Sequence, residues 1–120
     1  MSLLYEAEVK GVAPADLLDE QPLAPDPFVA DVVRGVSRDG SRIDALISQY
    51  AIDWTLERMP AVDRNILRVA VYELCERPDV PTGAVISEAV ELAKEFSTDE
   101  SGRFVNGLLS SVATAVRPTP

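Results

Sequence analysis

The residues in this chain that could do chemistry are few, and most lack the companions that chemistry needs. There is no histidine, so the ordinary proton carrier at neutral pH is missing, and the single cysteine, Cys75, has no imidazole to take its proton. Cys75 also falls on an apolar helical arc, which reads as a core position. Glu88, Glu91 and Glu95 neighbour one another on a helix surface and could in principle meet a divalent cation. Cation sites usually draw ligands from several elements, however, so a solvated face is the expectation. Neither a glycine-rich phosphate loop nor a Cys/His metal pattern occurs. The chain is therefore expected to be a non-enzyme, without metal or cofactor, that works by binding. The sharpest binding pair is Arg103 and Phe104, behind Asp99 and Glu100 at the start of the last helical run. Free backbone N–H groups and a base can hold phosphate there, and an aromatic ring can stack on an unpaired base. A core aromatic is the competing reading of Phe104.

Positioning these residues falls to residues 60–109, where apolar positions recur at helical spacing through three segments separated by short breaks. Pro60 suits a first helical turn, and Asp63 lies close enough to the positive helix end to be favourable. Ile66, Val69, Ala70 and Leu74 share one face. Leu67, Val71 and Cys75 widen the arc, which makes this a central helix, while Asp63, Arg64, Arg68 and Glu76 fall elsewhere on its surface. Residues 78–81, with two prolines, stop it. In the second helix Ile86, Ala89, Val90, Ala93 and Phe96 form the apolar stripe. Ser97 and Glu100 then stand at capping-box spacing before a third helix, whose Phe104, Val105, Leu108, Leu109 and Val112 point inward. Asn106 and Gly107 each cost roughly 0.5 to 1 kcal/mol of helix propensity relative to Ala. Close packing at a small residue is the expected reason.

The earlier part of the chain reads as the other half of the same core. Residues 1–11 form a short helix with Leu3, Leu4, Ala7 and Val9 inward and Gly11 as its stop. A brief helix is expected in 13–20, and 21–27 holds three prolines, a stiff connector. Phe28, Val29, Val32, Val33 and Val36 give one stripe, broken at 37–40, and Ile43, Leu46, Ile47 and Tyr50 another. Trp54, Leu56 and Met59 form a hinge between halves. With 120 residues the chain fits one domain that buries roughly two thirds of its unfolded surface. No run approaches the roughly 18 apolar residues that span a membrane, and nothing marks the chain for secretion, so the cytoplasm is the default expectation. A net charge of −9 by itself argues against RNA.

Three stretches in order, DRNILRVAVYEL, ISEAVELAKEFS and FVNGLL, with the break between the first two, resemble the NusB family of bacterial transcription antitermination factors. The similarity runs from Trp54 onward, and LLYEAEVKG is similar to the later part of that family's first helix. The resemblance implies an all-α, NusB-like domain of two three-helix halves, here residues 1–52 and 53–120. It also implies an adaptor that pairs with NusE, a small ribosomal protein, and with it binds boxA RNA of ribosomal RNA leader transcripts, within an RNA polymerase antitermination complex. On this resemblance Tyr5, Glu100, Arg103 and Phe104 lie toward RNA, while Asp63 and Arg64, with Arg68 one turn on, lie toward the partner. Gly102 stands where the family often has a polar residue. The family's arginine-rich run before the first helix has no counterpart, leaving Lys10 as the one base before Arg34, so the resemblance is to an N-terminally shortened member. A start assigned downstream, a trimmed chain and a natural variant with weaker RNA binding all fit. An acidic surface would attract a basic partner such as NusE. The alternative is a NusB-fold interaction module or homodimer without RNA binding. A detached NusB-like domain of an RNA methyltransferase is a third reading, against which the missing cofactor loop counts.

Overall fold

The helix Ala61–Glu76 is the axis of the fold, and five further α-helices among the described residues each touch it. The computed structural model describes residues 2–12 (side chains from Leu4), 15–16, 26–51 and 54–117, and among these it is helical with no strand. In chain order the helices are α1 Ser2–Lys10, α2 Pro27–Arg38, α3 Gly40–Tyr50, α4 Ala61–Glu76, α5 Thr82–Phe96 and α6 Asp99–Val116, with a 3-10 turn at Leu56–Arg58. The axial place of α4 follows from its sequence. Ile66, Leu67, Ala70, Val71 and Leu74 are all buried, covering an arc too wide for one neighbour. Each large side chain so buried contributes about 1.5 to 3 kcal/mol.

One apolar cluster runs from Leu4 in α1 through Val36, Ile43 and Ile47 to Ile66, Val105, Leu109 and Val112. Helix α4 thus packs against both the earlier and the later helices. The longest pairing is between α5 and α6, joined through Ser97 and Thr98 alone.

Local chemistry sets the helix ends. The Asp26 carboxylate accepts from the N–H groups of Phe28 (2.8 Å) and Val29 (3.4 Å), with Pro27 in the first turn of α2. Helix α1 ends at Gly11, whose φ of 71° is the left-handed conformation glycine adopts without strain. The Gly11 N–H donates to the Glu8 carbonyl and the Val12 N–H to that of Ala7, which completes a Schellman motif.

Several expectations need correction. The break between α2 and α3 shrinks to Asp39: its N–H donates to the Gly35 carbonyl while its own carbonyl accepts from Ile43, so one residue ends one helix and starts the next. Val9 is 68% exposed, and Phe28 and Val29 are also exposed; Ala30 turns inward instead, beside the expected Val33. Phe96 shares the azimuth of Val85 and Ala89, yet in the last turn of α5 it is 60% exposed, and Val85 is the residue that fills the core. The Leu3 side chain, most of 13–20 and residues 21–25 lie outside the described residues; Ala15 and Asp16 are helical.

Close packing at glycine also occurs elsewhere than expected. Gly107 is exposed, with open space where a Cβ would stand. Gly35 is the tight position: a Cβ there would overlap the Tyr72 ring, so glycine lets α2 lie directly on α4. The Tyr72 hydroxyl then donates to Asp31 at 3.2 Å.

Candidate nucleic-acid and partner interface

The first turn of α6 is held from two sides. Thr98 is extended, and its Oγ1 accepts from the Ser101 N–H at 2.9 Å, satisfying one of the open donors of the helix start. The cap is thus Thr98, and the expected Ser97–Glu100 box does not form. Ser97 Oγ instead lies 3.1 Å from Ser101 Oγ, which donates at 2.7 Å to the Asp63 carboxylate in the first turn of α4. That bond ties the start of α6 to the start of α4. Asp63 is 0% exposed, and its second oxygen has no hydrogen-bond partner among the described residues. Its placement on the helix surface is therefore corrected. Two helix N-termini thus meet at one carboxylate.

On this anchored start, Asp99, Glu100 and Arg103 are exposed. Phe104 is half-buried, its ring meeting Trp54 edge to face at 4.8 Å between centroids and 79° between planes. It therefore joins the hinge residue Trp54 to the core while keeping part of its surface open. Tyr5 is 43% exposed on α1. Gly102 is buried, and a Cβ there would lie 2.8 Å from Cγ of Lys94, so the lysine stem covers it. Residues of both chain halves thus carry the proposed RNA-facing positions.

The expected partner-facing arginines are largely engaged inside the molecule. Arg64 donates to the carbonyls of Leu56 (2.8 Å) and Met59 (2.9 Å) and pairs with Glu8. Arg68 grips Asp44 through Nε and Nη2 at 2.8 and 3.0 Å and donates to Asn65 Oδ1 at 3.2 Å. Asn65 Nδ2 donates in turn to Glu8 at 2.8 Å. Only 15% of the Arg64 side chain and 22% of that of Arg68 remain exposed. Burial, with the neighbouring Arg68 second, pulls the Arg64 guanidinium below its ordinary pKa. Glu8, Asp44 and Asn65 carry this network and went unread in the sequence. The 64, 65 and 68 spacing, one helical face, was its available signal.

At the other end of α4 sits Arg117, also missed. Its guanidinium donates to the carbonyls of Glu73 (2.9 Å), Leu74 (2.8 Å), Arg77 (2.6 Å) and Val80 (2.6 Å) and to Thr82 Oγ1 (3.2 Å). One cation thereby caps the carbonyl end of α4 and fixes the turn into α5. Burial pushes the Cys75 thiol pKa up, away from the reactive thiolate. No group of three or more potential ligands among the described residues could hold a metal ion, and no described helix is long and apolar enough to cross a membrane.

The NusB family model matches residues 2–114. This chain belongs to the NusB family. Over 114 residues it is 50% identical to the transcription antitermination protein NusB of Thermobifida fusca (strain YX), covering 92% of this chain and 80% of that one. NusB of T. maritima superposes with a TM-score of 0.87 at 36% identity, covering 98% of this chain and 87% of that one. A crystal structure of the antitermination factors NusB and NusE in complex with dsRNA is similar at TM-score 0.76 and 27% identity, covering 94% of this chain and 89% of the other. The all-helical NusB architecture is thus that of this chain, with α4 as its axis.

Proposed function

We propose that this NusB-family protein is a transcription antitermination adaptor that pairs with NusE and, with it, captures boxA RNA of ribosomal RNA leader transcripts for the RNA polymerase antitermination complex. The observation that supports this most is the match to NusB in a structure that also holds NusE and dsRNA. The chain acts by binding, with no chemical step, in the cytoplasm. Its net charge of −9 repels RNA at long range and draws in a basic protein, so NusE comes first and RNA second. The N-terminal half, residues 1–52, supplies Tyr5 and the C-terminal half, 53–120, supplies Glu100, Arg103 and Phe104. Arg103 neutralises phosphate, Phe104 and Tyr5 offer ring faces to unpaired bases, and Glu100 accepts from a base amino group. Asp63, Arg64 and Arg68 form the partner-facing end of α4, Asp63 from beneath by holding Ser101. The test is a titration of fluorescent boxA RNA with the protein, alone and with NusE, at two salt concentrations. Tight, salt-sensitive binding that requires NusE is the expected result. NusE capture without RNA binding would leave a protein-only interaction module.

A further inference from the structure

Glu73 is the buried charge that the functional reading leaves without a task. It is 8% exposed, it faces α5 from α4, and no hydrogen bond or ion pair among the described residues reaches its carboxyl group. It lines a cavity of about 30 Å³ with Ile66, Val85 and Ala89, and the more exposed Val69, Leu92 and Glu88 form the mouth. The lining is therefore apolar except for two carboxylates, Glu73 and Glu88. Burial, then the charge of Glu88, pushes the Glu73 carboxyl up to about 7, with Arg77 and Arg117 pulling the other way. Neither arginine can neutralise it by contact. Arg77 is spent on Asp31 and Asp79, and Arg117 on backbone carbonyls and Thr82.

Size and donor set decide what would fit. The space admits a group about as large as a water molecule. A divalent metal wants six or more oxygens, and beyond the two carboxylates the lining here is apolar. A planar guanidinium is too broad. An ammonium is compact, needs few acceptors and travels on an aliphatic stem that can lie on Val69 and Leu92. We propose that this cavity is a socket for one lysine ammonium of the protein partner, seated between Glu73 and Glu88 with its stem on Val69 and Leu92. That the lysine belongs to NusE rests on the pairing reading above; the socket itself rests on Glu73. The exposed Glu95, two turns beyond Glu88 on the same helix, adds long-range attraction for a basic partner.

The occupant favours the charged form of Glu73, so affinity rises as pH passes upward through about 7 and binding below that pH releases a proton. Two measurements test this. In the first, the Glu73 carboxyl resonance is followed by NMR against pH with n-butylammonium as the lysine mimic and tetramethylammonium as a control too bulky to enter. A midpoint lowered by the first ion alone supports the socket; no shift, or equal shifts from both, overturns it. In the second, NusE binding to the wild type, Glu73→Gln and Glu88→Gln is measured by calorimetry at pH 6 and pH 8. The wild type should bind about tenfold tighter at pH 8, and Glu73→Gln should lose that difference. Unchanged affinity and pH dependence in Glu73→Gln overturns the socket while leaving NusE pairing intact. If none of the three forms binds NusE, the pairing reading fails, and the butylammonium titration decides the socket alone.

Discussion

The two ends of α4 treat their buried carboxyl groups differently. At the N-terminal end the charged side chains are tied within the molecule: one Asp63 oxygen accepts from Ser101, Arg64 meets Glu8 and two carbonyls, and Arg68 meets Asp44. At the C-terminal end one arginine serves only neutral oxygens and a carboxyl group faces a cavity with no cation against it. Partly buried pairs that are complete hold the fold together and add little more when a partner arrives. A largely buried carboxylate lining a cavity without a cation is a standing cost that a partner can remove. The contrast therefore separates charges already tied into the fold from one left open to an incoming cation.

The strongest way to break the comparison is Arg117→Ala. It strands carbonyls at the end of α4 and frees the turn into α5, so a loss of about 3 kcal/mol is expected in chemical denaturation, and lysine, which lacks the planar fork, should not restore it. A loss near zero would mean that the C-terminal end holds without its cap.

Glu73→Gln sharpens the contrast from the other side. The folded-state pKa of about 7 lies above the unfolded carboxyl value, so the native form binds the proton more tightly and stability falls as pH rises from about 4.5 through about 7. Replacing the ionisable group should therefore raise stability by about 2 kcal/mol at pH 8 and change little at pH 4. Thermal melts at both pH values check the sign.

Phe104→Ala lies between the two ends, where α6 leaves the anchored start. It should weaken RNA capture by the NusE complex about tenfold, one lost stack, while a cooperative melt persists, because the ring is only half-buried against Trp54. Loss of the melt would make Phe104 a core residue and move the RNA surface elsewhere. The smallest effect belongs to the N-terminal end. Arg68→Ala should cost about 1 kcal/mol in urea titration, because Glu8 keeps Arg64 and Asn65 when Arg68 is gone.

Helical spacing made α4 and the inward faces of α5 and α6 legible, since Ile66, Leu67, Leu108 and Leu109 report their burial through period alone. The same logic failed at helix ends. Phe96 and Phe28 have the right type for a core but stand where a helix overhangs its neighbours, and periodicity carries no information on how far a neighbour extends. Thr98 and Ser97 were equally good caps by chemistry, and the backbone turn chose between them. At the candidate site, Arg103 was readable as an exposed base, whereas Asp63 was not readable as buried.

What the sequence determined by itself is the set of helices, their apolar faces, the absence of histidine and the acidic balance, because each depends on residues near one another in the chain or on composition. The tertiary structure alone decided which charges are satisfied. Arg64 meets Glu8 across 56 positions, Arg117 meets Leu74 across 43, and Asp63 meets Ser101 across 38. The same packing decides that Glu73 meets no cation among the described residues. A charge in a sequence has no partner until packing brings one within about 4 Å and removes the water between them.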